Sequence, residues 1–281
     1  MKKFEGILLC TDLDGTLFNS HRQLSKENRE AIEYFKKEGG SFTIITGRVP
    51  ATSKEICRLV KPNVPYGTGN GGGIYDFEAQ KFLWTATLTP DFLELVEWVD
   101  RNFPDMGIQL NTAQGVYFNK DNPALEDFRR ITGLSNRACH YREVPGPVMK
   151  VVFAHRDGAR IEALMEGLAH HPKAGQFDFI RSEHVLYELL PKGVSKGNAL
   201  LKMAELLGID PAKTVAVGDY DNDISMIRAA GVGYAVANAL PQVKEVADRI
   251  TVSNDQHAIA KIIEELDYSC HLKGDCQWIG S

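Results

Sequence analysis

Two carboxylates stand two residues apart in Asp12-Leu13-Asp14-Gly15-Thr16, directly after the apolar run Ile7-Leu8-Leu9-Cys10. Side chains two apart on a strand share a face, so Asp12 and Asp14 can point together out of a sheet end while Leu13 packs inward. Gly15 lets the chain turn at once. The spacing makes a carboxylate pair, and its plain alternative is a solvated turn. A second acidic group, Gly218-Asp219-Tyr220-Asp221-Asn222-Asp223, follows the apolar run Thr214 to Val217. Acids are welcome at a helix N-terminus. Asp219 and Asp223, one helical turn apart, also make a hard oxygen pair that with Asp12 could hold Mg²⁺.

Lys196 follows Ser195, which can cap a helix from Lys196 to Leu207 with Gly208 after it. A cation in the first helical turn opposes the macrodipole, at a cost of about 0.3–1 kcal/mol. Its position therefore needs full exposure or a nearby anion, which a bound phosphate would supply. Thr46-Gly47-Arg48 closes a further apolar run, Phe42 to Ile45. In open α/β sheets ligands bind beyond the carboxyl ends of the strands, where all these polar groups lie.

The elements that must position these residues are readable from periodicity. Continuous apolar runs at 7–10 and 42–45 read as strands covered on both faces, with helices capped by Ser25 through Glu38 and from Ala51 to Val60. After Lys196–Leu207, a strand Thr214–Val217, a helix Ile224–Ala230, and strands Tyr234–Ala237 and Ile250–Val252 repeat the rhythm, which predicts a parallel sheet wound with helices. The middle differs: helix 91–102, strand pair 108–110 and 116–118, helix 124–131, strand 149–154, helix 159–170, strand pair 177–180 and 185–189. Paired strands between helices predict an α+β unit with an antiparallel sheet, inserted into the α/β domain.

Composition bounds the partners. The 281 residues are 43% hydrophobic, and 32 Lys+Arg stand against 37 Asp+Glu for a net charge of −5 without a block of like charges. This is a folded chain with no support for a nucleic-acid or anionic-membrane partner. The apolar stretch Gly6 to Cys10 is too short for a signal peptide or a membrane span. Five scattered cysteines suit a reducing cytoplasm.

Asp12-Leu13-Asp14-Gly15-Thr16-Leu17, Thr46-Gly47-Arg48, Lys196 within Pro-Lys-Gly-Val-Ser-Lys-Gly, and Gly218-Asp219-x-x-Asn222-Asp223 resemble the four motifs of the haloacid-dehalogenase-like phosphatases. Their order and the insertion between the second and third motifs resemble the Cof-type subfamily, which carries a type IIB cap. The resemblance spans nearly the whole chain. It implies a Rossmann-like catalytic core at 1–85 and 189–281, an α+β cap at 86–188 that sets substrate selectivity, and Mg²⁺-dependent hydrolysis of a small phosphorylated metabolite, a sugar phosphate or related phosphomonoester. It further implies that Asp12 is the nucleophile that becomes an aspartyl phosphate and that Asp14 is the general acid and then base. Thr46 would bind a phosphoryl oxygen, Lys196 would offset charge, and Mg²⁺ would be held by Asp12, the Asp14 backbone carbonyl, Asp219 and Asp223. Gly47, Arg48, Asn70 and Asn222 complete the expected substrate-binding set. Asn70-Gly71-Gly72 aligns with a family loop that often reads Asn-Gly-Ala, so Asn70 either faces the substrate or serves as a turn asparagine. Asp255-Gln256-His257 departs from the Asp-Gly-Val of the family, and the tail from Cys270 is additional.

Two other readings share this scaffold: a phosphomutase that returns the phosphoryl group to the sugar, and a non-catalytic phosphometabolite-binding protein. Gly67 to Gly72 matches Gly-x-Gly-x-x-Gly literally, but a strand pattern rather than a helix follows it, so it reads as a glycine-rich turn. Cys270-His271 with Cys276 gives three clustered zinc-ligand types in a tail, too few for a closed site. The expected protein is cytoplasmic, monomeric or weakly self-associating.

Overall fold

Local signals become structure directly in the helix Lys26–Lys37. Ser25 accepts a hydrogen bond from the Asn28 N–H, Glu27 sits in the first turn and Lys36 and Lys37 in the last, and Ile32 and Phe35 face the core. The computed structural model describes residues 2–273, with side chains as far as residue 269. The side chains of Cys270 and His271, and Cys276 altogether, lie outside the described residues. By contacts the chain divides into two compact units. The first takes the residues up to Gly47, Lys54–Leu83 and those from Ser195 on; the second takes Arg48–Ser53 and Trp84–Val194. The segment 86–188 lies inside the second.

The first unit is built on a five-stranded sheet in the order Arg249–Ile250, Val232–Ala235, Thr214–Gly218, Leu8–Thr11, Ser41–Ile44, with every pairing parallel. The strand Leu8–Thr11 is buried throughout, as its unbroken apolar sequence requires of a central parallel strand. From Leu8–Thr11 the chain moves one way, to Ser41–Ile44. From Thr214–Gly218 it moves the other way, to Val232–Ala235 and Arg249–Ile250. The strand order therefore reverses between Leu8–Thr11 and Thr214–Gly218, which is where open α/β sheets form a crevice. Phe4, Leu9, Phe35, Phe42, Val215, Val217 and Ile262 are among the residues of the core beneath.

Some local features differ from expectation. The strand placed at Tyr234–Ala237 runs from Val232 to Ala235, because its register against the centre of the sheet pairs Val232 with Val215 and Tyr234 with Val217. Leu8–Thr11 ends one residue before Asp12, so Asp12 and Asp14 lie in a turn rather than on one strand face; Leu13 is buried as expected. As expected, the glycine-rich turn is followed by strands: it is the bend of a small sheet of Tyr66–Thr68, Gly73–Asp76 and Lys81–Thr85, in which Tyr66, Tyr75 and Phe82 meet edge to face.

The second unit is a five-stranded sheet ordered Gly115–Lys120, Gly107–Thr112, Val148–Ala154, Leu186–Pro191, Phe177–Glu183, with all pairings antiparallel. Helices Phe92–Asn102 and Gly158–Ala169 cover one face, joining Leu95, Val99, Ile161 and Leu164 to Ile108, Leu110, Val151, Phe153 and Leu189. This is the α+β architecture expected of the insertion. No helix among the described residues is long and apolar enough to cross a membrane.

Candidate active site

The site begins where the two central strands stop. The Asp12 N–H donates to the Val217 carbonyl at 3.0 Å, and the Thr11 hydroxyl donates to the Asp12 carbonyl at 2.7 Å. Both ends of the Asp12 backbone are thus held at the sheet edge. Gly15 follows with φ +84°, and a Cβ there would lie 2.5 Å from Asp219 Oδ2. Only glycine lets this turn approach Asp219 so closely. Thr16 Oγ1 then donates to Asp219 Oδ1 at 2.6 Å.

Asp223 closes the other loop. Its Oδ2 accepts hydrogen bonds from the N–H groups of Asp219 (3.0 Å) and Tyr220 (3.1 Å), while its Oδ1 meets Lys196 Nζ at 2.6 Å. The same ammonium reaches Asp12 Oδ1 at 2.6 Å. Lys196 opens the helix Lys196–Leu207, capped by the Ser195 side chain, and is only 1% exposed. The anion that its place in the first helical turn demands is supplied within the protein, by two aspartates.

One ammonium faces three carboxylates, and ligand oxygens of Asp12, Asp219 and Asp223 lie within 4.8 Å of one another. At that separation and an effective dielectric of about 20, each ionised pair repels by at least about 3 kcal/mol. The strain shows in the titration of the group. Burial, with repulsion from Asp223 and Asp219, pushes Asp12 well above the usual carboxylate range although Lys196 opposes it. Burial and then Asp223 push Asp219 up to about 7, with Asp14 adding to the effect. Burial alone would lower Lys196, but Asp12 and Asp223 outweigh it and hold the ammonium above its ordinary range, so it stays charged. Three oxygen-donor side chains with more negative charge than one lysine offsets are what a hard divalent cation relieves, and the donor set fits Mg²⁺.

The remaining expected residues form a second connected group. Thr46, 2% exposed, donates its N–H to Gly67 and accepts at its carbonyl from the Asn70 N–H, each at 3.0 Å. Asn70 lies in the left-handed region at φ 57° and accepts from Asn222 Nδ2 at 2.9 Å through its own Oδ1. Asn70 thus sits in the glycine-rich turn, and its side chain ties that turn to the fourth motif. Gly47 packs against the Asn70 amide. Gly71, at φ +97°, brings the turn so near the lysine helix that a Cβ would stand 2.1 Å from the Ser195 carbonyl. Asp14 is partly buried, and Arg48 falls in the second unit.

Two contributors carried no assigned role in the sequence reading. Thr16, visible in the first motif, orients Asp219. Asn238 donates from Nδ2 to the Gly15 carbonyl at 2.8 Å and accepts from the Asn254 N–H at 3.0 Å, so it braces the turn after Asp12. Nothing in the sequence near Asn238 signals this, because its partner lies more than two hundred residues away.

A parallel sheet whose reversal point gathers aspartates and a buried lysine suits an enzyme that transfers a phosphoryl group. The sequence profile of the haloacid dehalogenase-like hydrolases matches residues 9–263, and the chain belongs to this family. YxeH of Bacillus subtilis (strain 168) is 30% identical over 275 residues, covering 92% of this chain and 97% of that protein. The 5-amino-6-(5-phospho-D-ribitylamino)uracil phosphatase YwtE of the same organism is 29% identical over 282 residues, covering 92% and 97%. A haloacid dehalogenase-like hydrolase from Bacteroides thetaiotaomicron shares the fold with a TM-score of 0.81 at 26% identity, covering 92% of this chain and 99% of that one.

Proposed function

We propose that this chain is a Mg²⁺-dependent phosphatase that hydrolyses small phosphorylated metabolites through an aspartyl-phosphate intermediate. The observation that carries the reading is the contact of Lys196 with both Asp12 and Asp223 beside Asp219, at the reversal point of the sheet. The activity of YwtE on a phosphorylated ribityl compound supports a small phosphometabolite as the substrate.

Asp12 supplies the nucleophile. One carboxylate oxygen attacks phosphorus in line, the bond from phosphorus to the leaving oxygen breaks, and Asp14 delivers a proton to the departing alkoxide. Asp14 then takes a proton from water, whose oxygen attacks the aspartyl phosphate, releasing phosphate and restoring Asp12. Lys196 grips Asp12 Oδ1 and so fixes the carboxylate, while its charge offsets that of the phosphoryl group. Thr46, with Gly47, Arg48, Asn70 and Asn222, would bind the phosphoryl oxygens and the adjoining substrate. Asp12, the Asp14 carbonyl and Asp219, with Asp223 directly or through water, would hold Mg²⁺, which supplies charge neutralisation for phosphoryl transfer.

The test is hydrolysis of p-nitrophenyl phosphate by the purified protein. Release of phosphate is expected with Mg²⁺ and not after chelation, and Asp12→Asn should lower kcat by about a thousandfold or more. Wild-type rates in Asp12→Asn would remove the nucleophile assignment.

A further inference from the structure

Three asparagine side chains of the first unit converge on one short stretch of chain. Asn238 Nδ2 donates to the Gly15 carbonyl at 2.8 Å, Asn28 Nδ2 to the Leu17 carbonyl at 3.3 Å, and Asn254 Nδ2 to the Phe18 carbonyl at 3.0 Å. The acceptors lie within four consecutive residues, immediately after Asp14. The donors come from three separate places: the helix Lys26–Lys37, the loop after Val232–Ala235, and the turn Asn254–Gln256.

Two of these amides also accept. Asn238 Oδ1 takes the Asn254 N–H and Asn28 Oδ1 takes the Ala260 N–H, each at 3.0 Å. A further tie runs from the Ser20 N–H to Asp255 Oδ1 at 2.8 Å. The loop after Asp12 is thus fastened to residues 254–260, where the helix Ala258–Lys273 begins. This is the stretch in which Asp255-Gln256-His257 departs from the family pattern.

Asn28 and Asn254 are only 1% and 7% exposed. A buried amide is unfavourable unless paired, so apolar side chains would serve packing alone better. What the amides add is direction, because a hydrogen bond weakens steeply when its angle is lost. The stretch they orient bears on the chemistry. The Asp14 carbonyl is joined to the nitrogen of Gly15, whose own carbonyl Asn238 holds. Thr16 orients Asp219, and the Phe18 N–H donates to the Leu13 carbonyl at 2.9 Å, closing the loop around Asp14.

We propose that Asn28, Asn238 and Asn254 are positioning residues for phosphoryl transfer, through which the start of the helix Ala258–Lys273 sets the placement of the Asp14 side chain and carbonyl. The proposal rests on the phosphatase reading. The three amides act through the loop backbone and touch neither the phosphoryl group nor the cation in it.

Asn63 supplies the comparison. It donates from Nδ2 to the Gly40 carbonyl at 3.0 Å and accepts from the Phe42 N–H at 2.8 Å, but at the start of Ser41–Ile44, the end of the sheet opposite the site. Asn28→Ala, Asn254→Ala and Asn63→Ala are compared by melting, by p-nitrophenyl phosphate kinetics at saturating Mg²⁺, and by calorimetric titration with Mg²⁺ in the absence of substrate. All three should lower Tm. Only Asn28→Ala and Asn254→Ala should lower kcat and Mg²⁺ affinity, each by about tenfold, with KM within about twofold because Thr46 and Lys196 are unchanged. The Asn238 side chain is exposed, so Asn238→Ala should repeat that pattern with little loss of Tm, and it answers even if a buried variant does not fold. Loop variants that keep the kcat and Mg²⁺ affinity of Asn63→Ala overturn the proposal, since the amides would then support stability alone. A wild type that binds Mg²⁺ without hydrolysing p-nitrophenyl phosphate sinks the phosphatase reading, and the Mg²⁺ affinities still decide whether the amides place the loop. A wild type that does neither overturns both.

Discussion

The ionisation of Asp12 and Asp219 is where the chemistry of single residues is most exposed. Both carboxyl groups are held above their ordinary range in the folded chain, Asp219 at about 7, by burial and mutual repulsion. Between about pH 4 and pH 7 the folded protein therefore keeps protons that the unfolded chain has released. Stability falls as pH rises wherever the folded state binds more protons, so the metal-free protein should lose stability across that window. Melting curves with a chelator from pH 4.5 to 8 check the sign. Mg²⁺ competes with those protons, so it should raise Tm more at pH 8 than at pH 5. An equal rise at both would mean that the cation does not bind these carboxylates.

At the scale of elements, the site depends on how closely three loops and one helix approach. Gly71 lets the glycine-rich turn touch the start of the lysine helix, and Gly71→Ala would set a Cβ 2.1 Å from the Ser195 carbonyl at a φ of +97°. Backbone cannot yield cheaply there. The variant should lose about 3 kcal/mol or more, a fall in Tm of roughly 6–12 °C by calorimetry. Asn70 offers a cleaner separation of causes. Glycine tolerates its left-handed conformation, so Asn70→Gly keeps the turn and deletes the side chain, with its link to Asn222 and its amide against Gly47. A drop in kcat of about tenfold with Tm nearly unchanged is expected from p-nitrophenyl phosphate kinetics; full activity would make the link dispensable. The elements themselves were largely legible in the sequence. Lys196–Leu207 announces itself by Ser195 and Gly208, and Leu8–Thr11 by its unbroken apolar run, because caps and central parallel strands are written locally. The start of Val232–Ala235 was not, because pairing with Thr214–Gly218 decides it.

At the scale of the molecule, the two central strands of the first unit lie far apart in the chain, and the second unit, apart from Arg48–Ser53, is the stretch Trp84–Val194 between them. That unit has its own apolar core between sheet and helices. A fragment of residues 84–194 is therefore expected to unfold cooperatively on heating by circular dichroism. A featureless melt would show that its core needs the rest of the chain. By itself the sequence determined the inventory: which aspartates, which lysine, which glycines, and the alternation of strands and helices that brings them to strand ends. Those features depend on neighbours a few residues away. Only the tertiary structure decided that the anions beside Lys196 are Asp12 and Asp223, that Thr16 orients Asp219, and that three asparagine amides meet the carbonyls of the loop after Asp12. Ionisation and hydrogen bonding are set by what removes water from a group and what charge lies within a few ångströms, and in this chain most of those neighbours are distant in sequence.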